Sequence, residues 1–593
     1  MKGGVFMFQL QWLWHNLKGY RKVYVTALIL SLVCNVLYLT TPFFSSEIVD
    51  RYITGENAVE NLTADRRGFI VLLVCMIGFT LLRTVFQYTC NMTYEISSQG
   101  MIYRIRNHLF HRIQNQDMDF YDKNRTGDLM TRLTGDLDMV RHAVSWVFKG
   151  IVESFSLFTA SMICFFVIDW KIALMLFSVT PFIFIVMLMF KKAAKPVYVE
   201  LREKLAKMNT DAQENISGNR VVKAFAREEF EKEKFQRANL DYSVSNKRAS
   251  LLWLKFSPYM ESFANVLSVV MLLGGGMFLI KGSITTGEYI AISGLIWAIA
   301  NPVKNLGIYV NDLQRFMASA MKIIEIYYAR PRIADREDAV DCSERLKGEI
   351  EFRNVTFKYG KKTVLDNISF TVKPGETVAI MGETGSGKTT LINLIPRFYD
   401  AAEGEVLVDG VNVRFRKLKQ LRQNIGMATQ DVLLFSDTID GNIAYGDSSM
   451  PEEDVKKYAR LAAADGFISK MPEGYETLVG ERGVGLSGGQ KQRISLARAL
   501  AVKPAVLILD DTTSAVDMET EKHIQESLEN LDFNCTKLII AQRISSTKDA
   551  DKIIILENGK IKEMGTHDEL LAKKGYYYEV FMLQNEGFGK EAV

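Results

Sequence analysis

Charge of one sign is what this chain most clearly lacks. Its 72 Lys and Arg face 69 Asp and Glu, leaving a net charge of +3 over 593 residues. No nucleic-acid footprint follows from such a balance. Cysteine is sparse as well. The six (Cys34, Cys75, Cys90, Cys164, Cys342 and Cys535) are scattered, and none forms a C-x-x-C pair. Neither a zinc site nor a disulfide framework is indicated, so each reads as structural or incidental. A cleavable leader is also missing: "MKGGVFMFQLQWLWHNLKGYRK" has no uninterrupted apolar core and no small-residue cleavage site. Its aromatic and basic residues suit a helix lying on a membrane surface, with a plain helical lead-in as the alternative.

What is present is segregated. Hydrophobic residues make up 48% and charged residues 24%, which points to one apolar part and one ordinary soluble part. Apolar stretches fall near Val23–Phe44, Phe69–Met92, Trp146–Ile168, Ile172–Phe190, Phe263–Ile280 and Tyr289–Val310. Each approaches the roughly 20 residues needed to cross a bilayer. Only "DWK" separates the third and fourth, a tight hairpin; Asn301 and Pro302 interrupt the sixth. Two long polar segments, Thr93–His142 and Lys191–Lys255, read as helix extending into the cytoplasm. Glu153 and Glu261 are ionisable residues within spans and so candidates for substrate contact, although their place near span ends also allows snorkelling. Gly274–Gly276 reads as a place of close helix packing.

After Ala329 the composition turns polar, and from Gly348 apolar strands alternate with helical stretches. The expected architecture is therefore a lead-in helix (1–22), a six-span membrane α-helical domain with long cytoplasmic extensions (23–328), a linker (329–347) and an α/β P-loop domain (348–593).

The last part carries the chemistry. "VAIMGETGSGKTT" is a strand followed by G-x-x-x-x-G-K-[ST]. Its loop Gly382, Glu383, Thr384, Gly385, Ser386 and Gly387 would wrap phosphates with backbone N–H groups. Lys388 balances phosphate charge, the Thr389 hydroxyl suits magnesium, and Thr390 continues the helix. "LSGGQKQRISLARAL" places Ser487, Gly488, Gly489 and Gln490 at a helix start, a second anion site; a capped amphipathic helix is the bland alternative. "LILDDTTSAVD" then brings an apolar strand to two adjacent acids, of which Asp510 suits the metal.

Together these segments resemble a half-size ABC exporter, one membrane domain fused ahead of one ATP-binding cassette. The resemblance spans nearly the whole chain, and "FYDKNRTGDLMTRLTGDLD" and "NISGNRVVKAFARE" look like the family's two intracellular coupling regions. It implies that Tyr359 stacks on adenine and that Gln430 touches magnesium and reports to the membrane domain. It also implies that "TLVGERG" (477–483) senses the coupling helices, and that "SAVD" (514–517) links two ATP sites. Two cassettes would pack head to tail, each ATP lying between one phosphate loop and the other chain's "LSGGQ". ATP and Mg²⁺ are the cofactors so implied.

Two positions depart from the family pattern. Asp511 stands where a Glu is expected to handle the attacking water, and Gln542 in "IIAQRISS" where a His is expected. Asp lacks one methylene, a shortfall of roughly 1 Å, and misplacement of that size can cost on the order of a hundredfold. Gln542 donates a hydrogen bond but cannot titrate. With the binding residues retained and "LSGGQ" intact, the expectation is one subunit of an unequal pair, whose different partner half-transporter has both Glu and His. A slow symmetric homodimer is the alternative, since Asp still serves as a weak base. An ATP-gated channel is another, disfavoured by the absence of a row of charged pore residues. A soluble cassette acting on nucleic acid is excluded by the six apolar stretches. The cargo expected is small and hydrophobic or amphipathic, a drug, lipid or peptide, and membrane lipid is a further expected partner. The expected location is a bacterial plasma membrane, multi-pass, with N-terminus and cassette cytoplasmic.

Overall fold

A computed structural model describes residues 2–54, 63–341, 345–480, 483–512 and 516–589. The chain divides into two compact units, 1–114 with 126–329, and 115–125 with 330–593.

The first unit is helical. Helix α1 (Lys2–Asn16) precedes α2 (Arg21–Tyr52) and α3 (Arg66–Gln114). The 49 residues of α3 make it about 73 Å long, far more than a hydrocarbon core. The short α4 (Met118–Lys123) belongs to the second unit. Next comes α5 (Thr126–Ile168), which contains two π-turns at Arg132–Asp136 and Ala143–Val147. It stops at Asp169, whose carboxylate accepts from the N–H groups of Lys171 (2.7 Å) and Ile172 (3.2 Å). One residue thus ends α5 and caps α6 (Trp170–Ser217), which is why "DWK" turns so tightly. The short α7 (Asn219–Ala224) leads to α8 (Glu228–Val270), and a π-turn at Met271–Gly275 continues into α9 (Gly276–Ile280). Helix α10 (Thr286–Leu295) opens with a Thr285–Glu288 capping box and is followed by α11 (Trp297–Tyr327).

Among the described residues three helices, α2, α3 and α5, are long and apolar enough to cross a membrane. Shorter apolar runs cover Trp170–Val179 and Asn265–Ile280. The sixth expected stretch breaks at Ile296, between α10 and α11, and not at Asn301–Pro302. Pro302 lies inside α11, and the carbonyl that its ring leaves without a partner is that of Ala298, also within α11, so the proline is accommodated in the helix and does not account for the break. Leu39, Phe165, Leu176, Leu267, Met271, Leu295 and Ile299 form this unit's apolar core. Along α3, by contrast, Ile70, Val74, Ile77, Leu81 and Val85 are exposed, the surface that lipid would cover. The side chain of Glu261 lies outside the described residues.

The second unit has two sheets. One is antiparallel, in the order β2 (Lys362–Val372), β1 (Ile350–Tyr359), β4 (Glu403–Val408), β5 (Val411–Asn412). The other runs β10 (Lys560–Gly565), β9 (Lys552–Glu557), β3 (Thr377–Gly382), β8 (Thr536–Ile540), β7 (Val506–Asp510), β6 (Ile425–Ala428). It is parallel except for β10. Every residue of β7 is buried, which explains an unbroken apolar run where a one-faced strand would alternate. Helix α12 (Lys388–Asn393) follows β3, α13 (Gly488–Ala501) precedes β7, α14 (Met518–Glu529) follows it, and α15 (Tyr576–Gly589) closes the described chain.

Residues 330–341 lie against this unit: Val340 donates to Phe415 O at 2.7 Å and Leu418 N–H to Asp335 at 2.8 Å. So does α4. The Tyr399 hydroxyl donates to Asp122 at 2.8 Å, and Arg332 pairs with Asp119 at 2.9 Å. That attachment makes residues 115–125 part of the α/β unit, although the chain enters and leaves them through the helical one.

Candidate functional site

Parallel strands deliver their carboxyl ends to one edge, and here β3, β8 and β7 are neighbours. The phosphate loop leaves β3, Asp510 ends β7, and Gln542 follows β8 by two residues. The sheet order alone therefore brings together groups separated by up to 160 positions in sequence, as between Gly382 and Gln542.

The loop needs its glycines. Gly382, Gly385 and Gly387 have φ of +144°, +84° and +104°, a region that L side chains avoid. A Cβ on Gly387 would lie 2.8 Å from Leu365 Cδ2. Lys388 folds back over the loop and donates to the carbonyls of Gly382 and Glu383, both at 2.8 Å. Burial lowers its pKa, while Asp510 and Asp511 pull it back up. Thr389 donates to Asp510 at 3.0 Å. Burial raises the Asp510 carboxyl above its usual range; the Thr389 bond and Lys388 oppose this and Asp511 reinforces it.

These residues fit a magnesium-bound nucleotide. Ser386 Oγ is buried with no hydrogen-bond partner, a donor aimed at nothing in the chain itself. Two adjacent acids and a hydroxyl sit where a divalent cation would relieve their mutual repulsion. Among the described residues no cluster of three or more His, Cys, Asp or Glu could hold a metal. Mg²⁺ asks for less: one or two carboxylates, with substrate phosphates and water completing the octahedron. Gln430, exposed beyond the end of β6, is on the same edge. Tyr359 is 41% exposed at the end of β1, its ring braced edge-on by Phe357 (4.8 Å) and Tyr399 (5.4 Å). A braced, open aromatic face suits stacking by a purine.

Ser487 caps α13 reciprocally: it accepts from Gln490 N–H at 3.3 Å, while its own N–H donates to Gln490 at 2.9 Å. Gly488 and Gly489 form the first turn of that helix. Farther along, Gln492 donates to the carbonyl of Asp511 at 3.4 Å. Asp511 itself has φ of +51°, left-handed backbone that Asp tolerates better than most residues, and its N–H donates to Ile540 O at 3.0 Å. Gln542 is exposed. Glu481, Arg482, Ser514 and Ala515, within the two family-like segments, lie outside the described residues.

Three groups carry more than their sequence context foretold. Tyr399 braces Tyr359 and also bonds α4. Gln584 bonds the backbone around Gln542. Arg83 is the third, and its signal was present: it is the one basic residue inside the second apolar stretch. In the helical unit it helps line a cavity of about 280 Å³ together with Asn35, Tyr38, Gln87, Glu153 and Trp297. Its guanidinium lies 3.6 Å from the centroid of the Tyr38 ring, and Tyr38 packs edge-on against Trp297 at 4.5 Å. Glu153 has its own cation, Lys149, at 3.7 Å.

Comparison with known proteins agrees with this geometry. Residues 24–303 match the family model of the ABC transporter transmembrane region, and residues 365–514 that of the ABC transporter. An uncharacterized ABC transporter ATP-binding protein of Bacillus subtilis (strain 168), YknU, is 37% identical over 567 residues, 95% of each chain. The ATP-dependent lipid A-core flippase of Syntrophus aciditrophicus (strain SB) is 39% identical over 488 residues, 82% of this chain and 81% of that one. A solved bacterial Atm1-family ABC exporter with ATP bound superposes with a TM-score of 0.81 at 25% identity, covering 95% of this chain and 99% of the other.

Proposed function

The chain belongs to the ABC transporter family, and from that premise we propose that it is the hydrolysis-impaired subunit of an unequal exporter pair that moves an amphipathic substrate outward across a membrane. ATP-driven export of amphipathic cargo is what its named relatives support. The finer assignment rests on one observation: Asp511 and Gln542 occupy the hydrolytic places of a strand edge that otherwise keeps its binding groups, Lys388, Thr389, Gln430 and Asp510.

In this reading Tyr359 takes the base, the loop from Gly382 to Gly387 and Lys388 hold the phosphates, and Thr390 continues the helix whose positive end faces them. Thr389, Gln430 and Asp510 would hold Mg²⁺, which supplies charge neutralisation between phosphate oxygens. The Asp511 carboxylate falls short of a water in line with the γ-phosphate, and Gln542 donates to that phosphate without carrying charge. ATP is held long and split slowly. Ser487 with its helix N-terminus serves the partner's ATP, and a partner with intact Glu and His does most of the turnover.

The cargo site proposed is the cavity at Arg83 and Glu153. An Arg inside an apolar stretch is costly to place there, which marks it as a functional-site candidate. Stacked on Tyr38, it suits an amphiphile with an acidic head and an apolar body. The apolar stretches make the protein multi-pass, and ATP supply puts the cassette and N-terminus in the cytoplasm.

Co-expression of tagged and untagged copies with the partner tests the pairing. The two copies should not pull each other down, while the different half-transporter should follow either. A stable, fully active self-pair would establish instead the symmetric reading, in which Asp511 serves as a weak base. ATP-dependent uptake of a fluorescent acidic amphiphile into inside-out vesicles tests export. An ATP-gated ion current without uptake would overturn it.

A further inference from the structure

The last described helix reaches the ATP site. Helix α15 is fixed to the cassette by one face. Tyr577 is fully buried in a cluster with Met381, Ile544 and Ile555, and Phe581, one turn on, packs against the same cluster. His567 Nδ1 lies 2.6 Å from the Tyr577 hydroxyl. Gln584 continues that face at the i, i+4, i+7 spacing. Its carboxamide then makes two bonds to one short segment. Ile544 N–H donates to Gln584 Oε1 at 2.9 Å, and Gln584 Nε2 donates to Gln542 O at 3.0 Å. A single side chain thus holds the backbone on both sides of Arg543, in the manner of a neighbouring strand.

The other side of the segment is held as firmly. Glu521 of α14, buried to 3% exposure, pairs with Arg543 at 3.4 Å and accepts from the Ser546 hydroxyl. Gln525 donates to Ser545 O at 3.4 Å. These contacts fix residues 543–546. Among the described residues, the Gln584 amide bond is the side-chain contact that reaches the carbonyl of Gln542 itself. The cluster under α15 also includes Met381, the residue before the first loop glycine, and Thr547 donates to its sulfur at 3.5 Å. The helix is thereby packed under both the phosphate loop and the segment that faces it.

We propose that Gln584 is a positioning residue: it sets the backbone of Gln542, and through it the contact with the γ-phosphate, so that the seating of α15 determines how tightly this chain holds ATP but not ADP. This rests on the reading of Gln542 given above. Glu in place of Gln would keep the acceptor for Ile544 N–H and lose the donor to Gln542 O. Unclamped, Gln542 samples orientations that miss the phosphate, and the loss should be that of one hydrogen bond, about fivefold.

The test uses the full-length transporter in lipid nanodiscs, with release of Mg–AMP-PNP and Mg–ADP from this chain followed by photolabelling and chase. Gln542→Ala, Gln584→Ala and Gln584→Glu should each release AMP-PNP about fivefold faster and leave ADP release unchanged. The Gln542→Ala/Gln584→Ala double variant should be no faster than either single, because the two residues act in series. Wild-type AMP-PNP release in both Gln584 variants, alongside faster release in Gln542→Ala, overturns the proposal and leaves the reading of Gln542 standing. Equal acceleration for both nucleotides assigns Gln584 to general packing and also overturns it. Wild-type behaviour of Gln542→Ala removes the reading beneath it.

Discussion

The edge proposed for ATP and the cavity proposed for cargo would each hold a charged ligand, and they are built from opposite materials. The ATP edge is made largely of backbone: three strand ends, a glycine loop and helix starts, with Lys388, Thr389 and Asp510 as the few charged or hydroxyl groups. The cavity is made of side chains from helices α2, α3, α5 and α11, held by stacking and single hydrogen bonds such as Asn35 to Ser156 at 2.6 Å. A backbone site tolerates little variation, because its donors are fixed by the sheet. A side-chain site changes its ligand with one substitution and keeps its fold.

The comparison breaks first at Lys388. Lys388→Ala should weaken ATP retention at this chain's own site by about a hundredfold, the upper size of a lost hydrogen bond to a charged group, and affect turnover at the partner's site far less. Unchanged retention of Mg–AMP-PNP would show that Lys388 does not face the phosphates. Next comes the contrast between Ser487 and Asp511. Ser487→Ala should slow turnover by about tenfold through the partner's site, and Asp511→Asn should matter far less. The reverse order would exchange the roles of the two ATP sites.

In the cavity, Arg83→Ala should reduce uptake of an acidic amphiphile by about tenfold, the size of a lost charge-assisted hydrogen bond. Turnover without cargo should stay near wild type. An equal fall in both would mark Arg83 as part of helix packing. The smallest effect is expected from restored chemistry. With the partner's catalytic Glu changed to Gln, Asp511→Glu with Gln542→His should gain hydrolysis beyond the product of the single variants. Failure of the double variant while nucleotide still binds would place the slowness in the partner's half.

The same division explains what could be read from the chain. The phosphate loop, Ser487 and Asp510 are contiguous motifs, because loop–helix and strand–acid junctions must be local in sequence. Tyr399, Gln584 and Glu521 are not legible that way. Each acts on a segment of the chain 22 to 277 residues away, through packing that only the fold creates. Arg83 lay in plain view within an apolar stretch, whereas its stacking on Tyr38 depends on how α2 meets α3. Helix existence was legible from composition. The break at Ile296 was not, because no proline or glycine stands there and Ile296 itself keeps helical φ and ψ. Nor does any local pattern show that residues 115–125 fold onto the α/β unit.

The two bonds from Lys388 to the carbonyls of Gly382 and Glu383 have a consequence for binding. The loop carries its own place-holder, so its curve is already drawn before any phosphate arrives. Arrival then becomes an exchange of partners by one ammonium group, with little chain left to order. Recognition of the nucleotide's tail should therefore cost little ordering of the loop.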